Sequence, residues 1–88
     1  MYEWDDAKRI ANADKHGVDF ALVEGFNWDG ALTAEDGRED YREPRFVSLG
    51  FIRKRLHVLV WTLRGERTRV ISLRKANARE VRYYAEHV

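Results

Sequence analysis

The chain of 88 residues contains no cysteine, one proline and no long hydrophobic run. Without cysteine it can form neither a disulfide framework nor a thiolate metal site, so packing must supply its stability. The longest apolar-rich stretch, residues 56–63, is far too short to cross a bilayer. The acidic amino end does not resemble a secretion signal. These absences favour one small domain over residues 1–88, working in a reducing cytoplasm and away from membranes.

The chain also lacks a large net charge of either sign, but its total of +1 conceals an uneven distribution. Residues 1–41 hold four lysine and arginine residues against eleven carboxylates, a balance of −7. Residues 42–88 hold twelve against four, a balance of +8. A basic half suggests a polyanionic partner. The alternative is that the two halves neutralise each other across the folded surface, as is common on small domains.

The first part of the chain is predicted to be helical. Asp5 or Asp6 can cap a helix that runs to about Lys15. Gly17 supplies a stop, since glycine readily takes the left-handed conformation that ends helices. Asp19 can cap a second short helix, expected to end near Asn27 or Gly30.

The second half is predicted to form an antiparallel meander. Short polar connections separate three β-rich runs, residues 45–52, 56–63 and 68–73. Connections this short require antiparallel neighbours, because a parallel crossover needs a dozen or more residues. The middle run is apolar on both faces and is expected to be the central strand. A short strand over residues 31–34, followed by an acidic loop over residues 35–40, would add a fourth.

The end of the chain is predicted to be a helix capped by Asn77, with Glu80 completing a capping box. An apolar stripe at helical spacing is expected to dock on the sheet: Val81, Tyr84, Ala85 and Val88. The predicted fold is therefore α+β, a small antiparallel sheet packed with two N-terminal helices and one C-terminal helix.

Few kinds of chemistry are open to this sequence. The three histidines have no metal-ligand spacing, the glycines form no phosphate loop, and no serine occupies a nucleophile elbow. No metal or other cofactor is therefore expected. What remains is a set of arginines on predicted strands, which could hold phosphates and support metal-free RNA cleavage. Strict alternation along the last strand places Arg74 on the face opposite Arg69.

Acid–base chemistry would need other groups, and each has a structural alternative. The candidates are His16, Lys15, Glu43 and the tyrosines. His16 also suits a helix end, and Tyr84 also fits the apolar stripe. The Arg-Lys-Arg turn at residues 53–55 is interpreted as a solvated loop tip that discourages edge pairing.

A set of short motifs, in order along nearly the whole chain, resembles the BrnT toxin family of type II toxin–antitoxin systems. They are Tyr2-Glu3-Trp4-Asp5, Lys8, Asn12, Lys15-His16-Gly17-Val18-Asp19-Phe20, Asp36-Gly37-Arg38, Glu43-Pro44-Arg45-Phe46, Gly50, Thr62, Arg69-Val70-Ile71-Ser72-Leu73-Arg74-Lys75-Ala76, Glu80 and Tyr83-Tyr84.

That resemblance implies a RelE-like fold and a toxin that cleaves mRNA without a metal ion, which halts translation. It implies a BrnA-like antitoxin with a ribbon-helix-helix part, so that operator DNA is bound only by the toxin–antitoxin complex. The alternative function is a non-catalytic module that binds the antitoxin or nucleic acid.

Matching residues carry the family's functional roles onto this chain. His16 is the expected proton-transfer group with Lys15 beside it, and Arg45 and Arg74 are the expected phosphate binders. Tyr84 matches a family aromatic and completes the expected catalytic set. The remaining candidates are expected to bind RNA: Arg64, Arg69, Lys75 and Tyr83.

Overall fold

The computed structural model describes residues 1–37 and 42–88. Its elements, in chain order, are β1 (Tyr2–Glu3), α1 (Asp6–His16), a 3₁₀ helix (Phe20–Gly25), β2 (Leu32–Glu35), β3 (Phe46–Ile52), β4 (Arg55–Arg64), β5 (Arg67–Lys75) and α2 (Ala78–His87). No helix in this part of the chain has the length and apolar character needed to cross a membrane. Residues 38–40 of the predicted acidic loop lie outside the described residues.

The strands form one open sheet in the order β1-β5-β4-β3-β2. The predicted α+β class is confirmed, but the predicted meander is only the middle of this five-stranded sheet. β2 adds an antiparallel strand, and β1 pairs in parallel with β5 at Thr68 and Arg69. The mixed sheet was missed because β1 has two residues, too few to show an alternating pattern.

The second N-terminal helix is a 3₁₀ helix, so the prediction of two ordinary helices is wrong at this point. Asp19 caps it by accepting a hydrogen bond from the Ala21 amide, as expected. It ends at Phe26, earlier than predicted, because Phe26 forms an isolated bridge with Ile52 of β3. A 3₁₀ helix places residues three apart on one side, and that side carries buried Phe20 and Val23.

The two faces of the sheet differ in how far they are covered. On the first face, α1 and the 3₁₀ helix enclose the main core of Val18, Phe20, Val23, Phe26, Ile52, Leu59, Val70 and Leu73. Gly50 is required there, because a Cβ atom on it would overlap the ring of Phe26. On the second face, a smaller cluster of Leu56, Val58 and Ala76 packs against partly buried residues that include Phe51 and Tyr84.

A β-bulge in β5 changes which side chains share a face. Trp61 of β4 pairs with Val70, whereas its neighbour Val60 pairs with Ser72, so Ile71 is an extra residue. The alternation therefore shifts by one position within β5. Arg69, opposite Thr62, joins Ser72 and Arg74 on the second face of the sheet. The prediction that Arg69 and Arg74 lie on opposite faces is wrong, because it assumed an unbroken strand.

Asn12 of α1 occupies the edge of β5 beyond the two residues covered by β1. Its Nδ2 donates hydrogen bonds to the carbonyl oxygens of Leu73, at 2.7 Å, and Val18, at 3.0 Å. Its Oδ1 accepts from the Leu73 amide at 3.3 Å. The side chain, in a residue that is 8% exposed, thus takes the place of a neighbouring strand. This contact fixes the position of α1 along β5.

α2 begins as predicted but packs differently. Asn77 and Glu80 form the expected capping box. The apolar stripe does not dock on the sheet, since α2 has no buried residue and Val81 and Val88 are 45% and 70% exposed. Of the stripe residues, Tyr84 alone is half-buried, because its long side chain reaches the ring of Phe51 and the Gly30 carbonyl.

Replacing Asn12 by alanine is expected to destabilise the fold by about 2–4 kcal/mol, because buried backbone groups of Leu73 and Val18 lose their partners. Urea unfolding followed by circular dichroism measures the change. Asp14→Ala, an exposed substitution on the same helix, is the control and is expected to change stability by about 0.5 kcal/mol or less. Equal stability of the two variants would contradict the structural role given to Asn12.

Candidate active site

A cleft of about 290 Å³ lies between α1 and β5, and we call it the α1–β5 cleft. Its polar lining comes from Lys8, Lys15 and His16 on the helix and Ser72 on the strand. Lys15 and His16 occupy the last turn of α1, where the helix dipole favours positive charge. Gly17 ends the helix there in the left-handed conformation, with φ of 69°.

Arg74 lies beside this cleft and is held by Glu80 of α2. Its guanidinium donates two parallel hydrogen bonds to the two carboxylate oxygens, each 2.8 Å long, and a third, of 3.4 Å, to the Lys75 carbonyl. Hydrogen bonding to Arg74 lowers the pKa of Glu80, and the same contact raises the pKa of Arg74. Three of the five N–H groups are used in this way, which leaves two for a ligand.

The pKa of His16 is lowered, first by partial burial and then by the positive charges of Lys15 and Arg74. The contribution of Arg74 places its charge within electrostatic range of the end of α1. A lowered pKa leaves the imidazole neutral at pH 7, the form that can accept a proton. The cleft therefore combines a neutral base with fixed positive charge.

A second group of charged residues surrounds Glu43, and we call it the Glu43 cluster. Arg64 pairs with Glu43 at 3.1 Å. The pKa of Glu43 is lowered chiefly by that hydrogen bond, with contributions from the charges of Arg69 and Arg45. Arg69 also pairs with Glu3 of β1 at 2.7 Å.

The structure does not bring the two groups of predicted site residues together. Arg74 is level with Leu49 of β3, because both pair with Val58 of β4. Arg45 precedes Leu49 by four residues, about 13 Å at the rise of a strand. Lys15 and His16 thus line the α1–β5 cleft with Arg74 beside it, while Arg45, with the other members of the Glu43 cluster, lies farther along the sheet.

The two predicted tyrosines have contacts outside the cleft. Tyr84 donates its hydroxyl hydrogen to the Gly30 carbonyl, at 2.5 Å, and packs edge-on against Phe51. Tyr83 is 51% exposed and stacks on His87, with ring centroids 3.9 Å apart.

Sequence reasoning missed three contributors to the site. Ser72 lines the cleft, and Glu80 holds Arg74 as well as capping α2. Lys8 joins Lys15 in the lining, with buried Asn12 between them. Spacing could have revealed Lys8, since Lys8, Asn12 and Lys15 form an i, i+4, i+7 stripe of polar residues on one side of α1. Ser72 shares a face with Arg74, as strict alternation predicts, but no sequence motif marked it as a lining residue.

Metal ligation has no support in the described part of the chain. Within residues 1–37 and 42–88, no group of three or more histidines and carboxylates is arranged to hold an ion.

A neutral imidazole together with a guanidinium is a combination of groups that can act on phosphodiesters. Residues 4–80 match the sequence model of a family described as the ribonuclease toxin, BrnT, of type II toxin–antitoxin systems. The match covers most of the chain, so the protein belongs to the BrnT family, and the resemblance seen in the sequence is confirmed. No sequence among the curated proteins matches the chain.

Replacing Lys15 by alanine is expected to raise the pKa of His16, because one of the positive charges that lowers it is removed. NMR titration of the imidazole measures this directly. Lys8→Ala, about two turns away on α1, is the matched control and is expected to produce a smaller change. A His16 that titrates normally in the wild type and is unaffected by Lys15→Ala would contradict the electrostatic description of the cleft.

Proposed function

We propose that this ribonuclease toxin cleaves RNA at the α1–β5 cleft, by acid–base chemistry that uses no metal ion. The observation that carries the proposal is that Lys15 and His16, from the end of α1, line one cleft with Ser72 of β5, and that Arg74 follows Ser72 by two residues on the same face of the strand. His16 and Lys15 supply a base and a proton donor in the cleft, and Arg74 supplies a phosphate ligand beside it.

His16 is the proposed general base. Its neutral imidazole takes the proton of a ribose 2′-hydroxyl, and the 2′-oxygen forms a bond to the adjacent phosphorus. The bond from that phosphorus to the 5′-oxygen of the next nucleotide breaks, and Lys15 donates a proton to this leaving oxygen. The products are a 2′,3′-cyclic phosphate and a 5′-hydroxyl end.

Arg74 is the proposed transition-state ligand. Negative charge increases on the phosphoryl oxygens as the 2′-oxygen attacks, and a fixed guanidinium stabilises that charge. The hydrogen bonds from Arg74 to Glu80 hold its side chain in place before RNA binds. Glu80 is therefore a positioning residue in this proposal.

The other predicted site residues receive no chemical step. Arg45, Arg64 and Arg69 are proposed to hold phosphates of the RNA strand outside the cleft, since they share the second face of the sheet or its margin. Lys75 and Tyr83 stay proposed RNA contacts, and Tyr84 keeps a structural contact with Gly30.

Membership of a type II toxin–antitoxin family implies an antitoxin partner and an RNA substrate. We further propose that the substrate is mRNA in the cytoplasm. The proposed antitoxin is BrnA-like and carries a ribbon-helix-helix part, through which the complex binds operator DNA.

The purified protein is expected to cleave single-stranded RNA in the presence of EDTA and to leave cyclic phosphate ends. Arg74→Ala should slow cleavage about 10²–10³-fold, the usual effect of losing one oxyanion ligand. His16→Gln should slow it about 10²–10⁴-fold, the usual contribution of a general base. Arg82→Ala, an exposed substitution on α2 that removes the same charge, is expected to retain activity.

Two results would contradict this proposal. Cleavage that stops in EDTA and returns with Mg²⁺ would show that the reaction needs a metal ion. RNA binding without cleavage of either free RNA or ribosome-bound mRNA would instead favour a non-catalytic binding module.

A further inference from the structure

A second basic cavity, of about 370 Å³, opens at the turn between β3 and β4, and we call it the hairpin pocket. Its cationic lining consists of Arg53, Lys54 and Arg55 from the turn and Lys75 from the end of β5. Leu22 of the 3₁₀ helix, 46% exposed, adds an apolar surface beside these charges. The sequence pattern alone indicates no more than a solvated loop tip at this turn.

In the part of the chain that the structure describes, no carboxylate lies within ion-pair distance of the cations that line the hairpin pocket. Among the described residues, Arg53, Lys54, Arg55 and Lys75 form no ion pair. In contrast, the arginines of the central sheet at positions 64, 69 and 74 each pair with a glutamate. Several unpaired cations around one cavity repel each other, and a polyanion relieves that repulsion.

The backbone of the turn points to a use for the Arg53 side chain. Arg53 is the one residue other than glycine with positive φ, at 56°, in the described part of the chain. Glycine adopts this conformation without steric cost, and it is the usual residue at such positions of two-residue hairpin turns. An arginine here retains backbone strain, and its residue contributes to the lining of the pocket.

The hairpin pocket lies close to the α1–β5 cleft, around the end of β5. Ser72 lines the cleft and Lys75 lines the pocket, three residues or about 10 Å apart along the strand. Arg74 and Lys75 are consecutive and project to opposite faces of the sheet. An RNA strand whose reacting phosphate lies at Arg74 can therefore continue around the end of β5 to Lys75.

We infer that the hairpin pocket is an RNA-backbone subsite, which binds phosphates of the substrate strand next to those held in the α1–β5 cleft. The inference rests on the proposed function, because it takes the cleft as the place of cleavage. Bidentate arginines and a lysine suit phosphate oxygens without selecting a base.

The test compares the wild type with an Arg53→Gly/Lys54→Ser variant in binding a long single-stranded RNA made uncleavable by 2′-O-methylation. Glycine at position 53 relieves backbone strain, so thermal stability is expected to stay the same or increase while RNA affinity falls. The plot of log affinity against log salt should become less steep by about 0.7 for each phosphate that the variant no longer neutralises. Arg79→Ser/Arg82→Ser, which removes two charges from α2, is the control and should retain the wild-type slope more closely.

A short substrate separates this inference from the proposed function. Cleavage of a trinucleotide that fills only the α1–β5 cleft should be the same in the wild type and the hairpin variant. Wild-type protein that cleaves no RNA would contradict the proposed function, yet the binding comparison with uncleavable RNA would still test the subsite.

Three outcomes would overturn the subsite. The first is an unchanged affinity and salt slope in the hairpin variant, and the second is an equal loss of affinity in the α2 control. The third is an effect of the hairpin variant that is restricted to another partner. Reduced cleavage on ribosomes alone would assign the pocket to ribosomal RNA. Reduced affinity for an acidic antitoxin segment alone would assign it to the antitoxin.

Discussion

The hydrogen bonds between Asn12 and the backbone of Leu73 determine where the candidate site forms. β5 is covered by β1 for only two residues, and beyond them its edge would be exposed. Asn12 satisfies the Leu73 amide and carbonyl, so that a helix can lie where a strand would otherwise pair. One turn later, the same helix places Lys15 and His16 beside the end of β5. A contact that stabilises the fold thus also assembles the cleft.

The bulge at Ile71 explains how the charges of the basic half are distributed. It places Arg69 and Arg74 on one face, and each is held by a glutamate. Among the described ion pairs, Glu3 alone links the acidic half of the chain to the basic half. Within the described residues, the cations that line the α1–β5 cleft and the hairpin pocket take part in none of these ion pairs.

Local signals predicted much of the fold. The caps at Asp5, Asp19 and Asn77 and the stop at Gly17 act within a few residues, so the sequence shows them directly. β1 and the bulge depend on pairing between distant segments and left no periodic pattern. For the site, residue chemistry nominated His16, Lys15 and the arginines of the strands, and the match to a family narrowed that choice, whereas Glu80 was interpreted only as a cap. Its second role required the position of α2 beside β5.

The central claim is that RNA reacts in the α1–β5 cleft. Chemical-shift mapping by NMR with a short 2′-O-methyl RNA tests this most directly, since it locates the ligand without requiring cleavage. We expect the largest changes at Lys15, His16 and Ser72 and at the side-chain Nε–H of Arg74. Changes confined to the Glu43 cluster, with His16 and Arg74 unaffected, would contradict that claim.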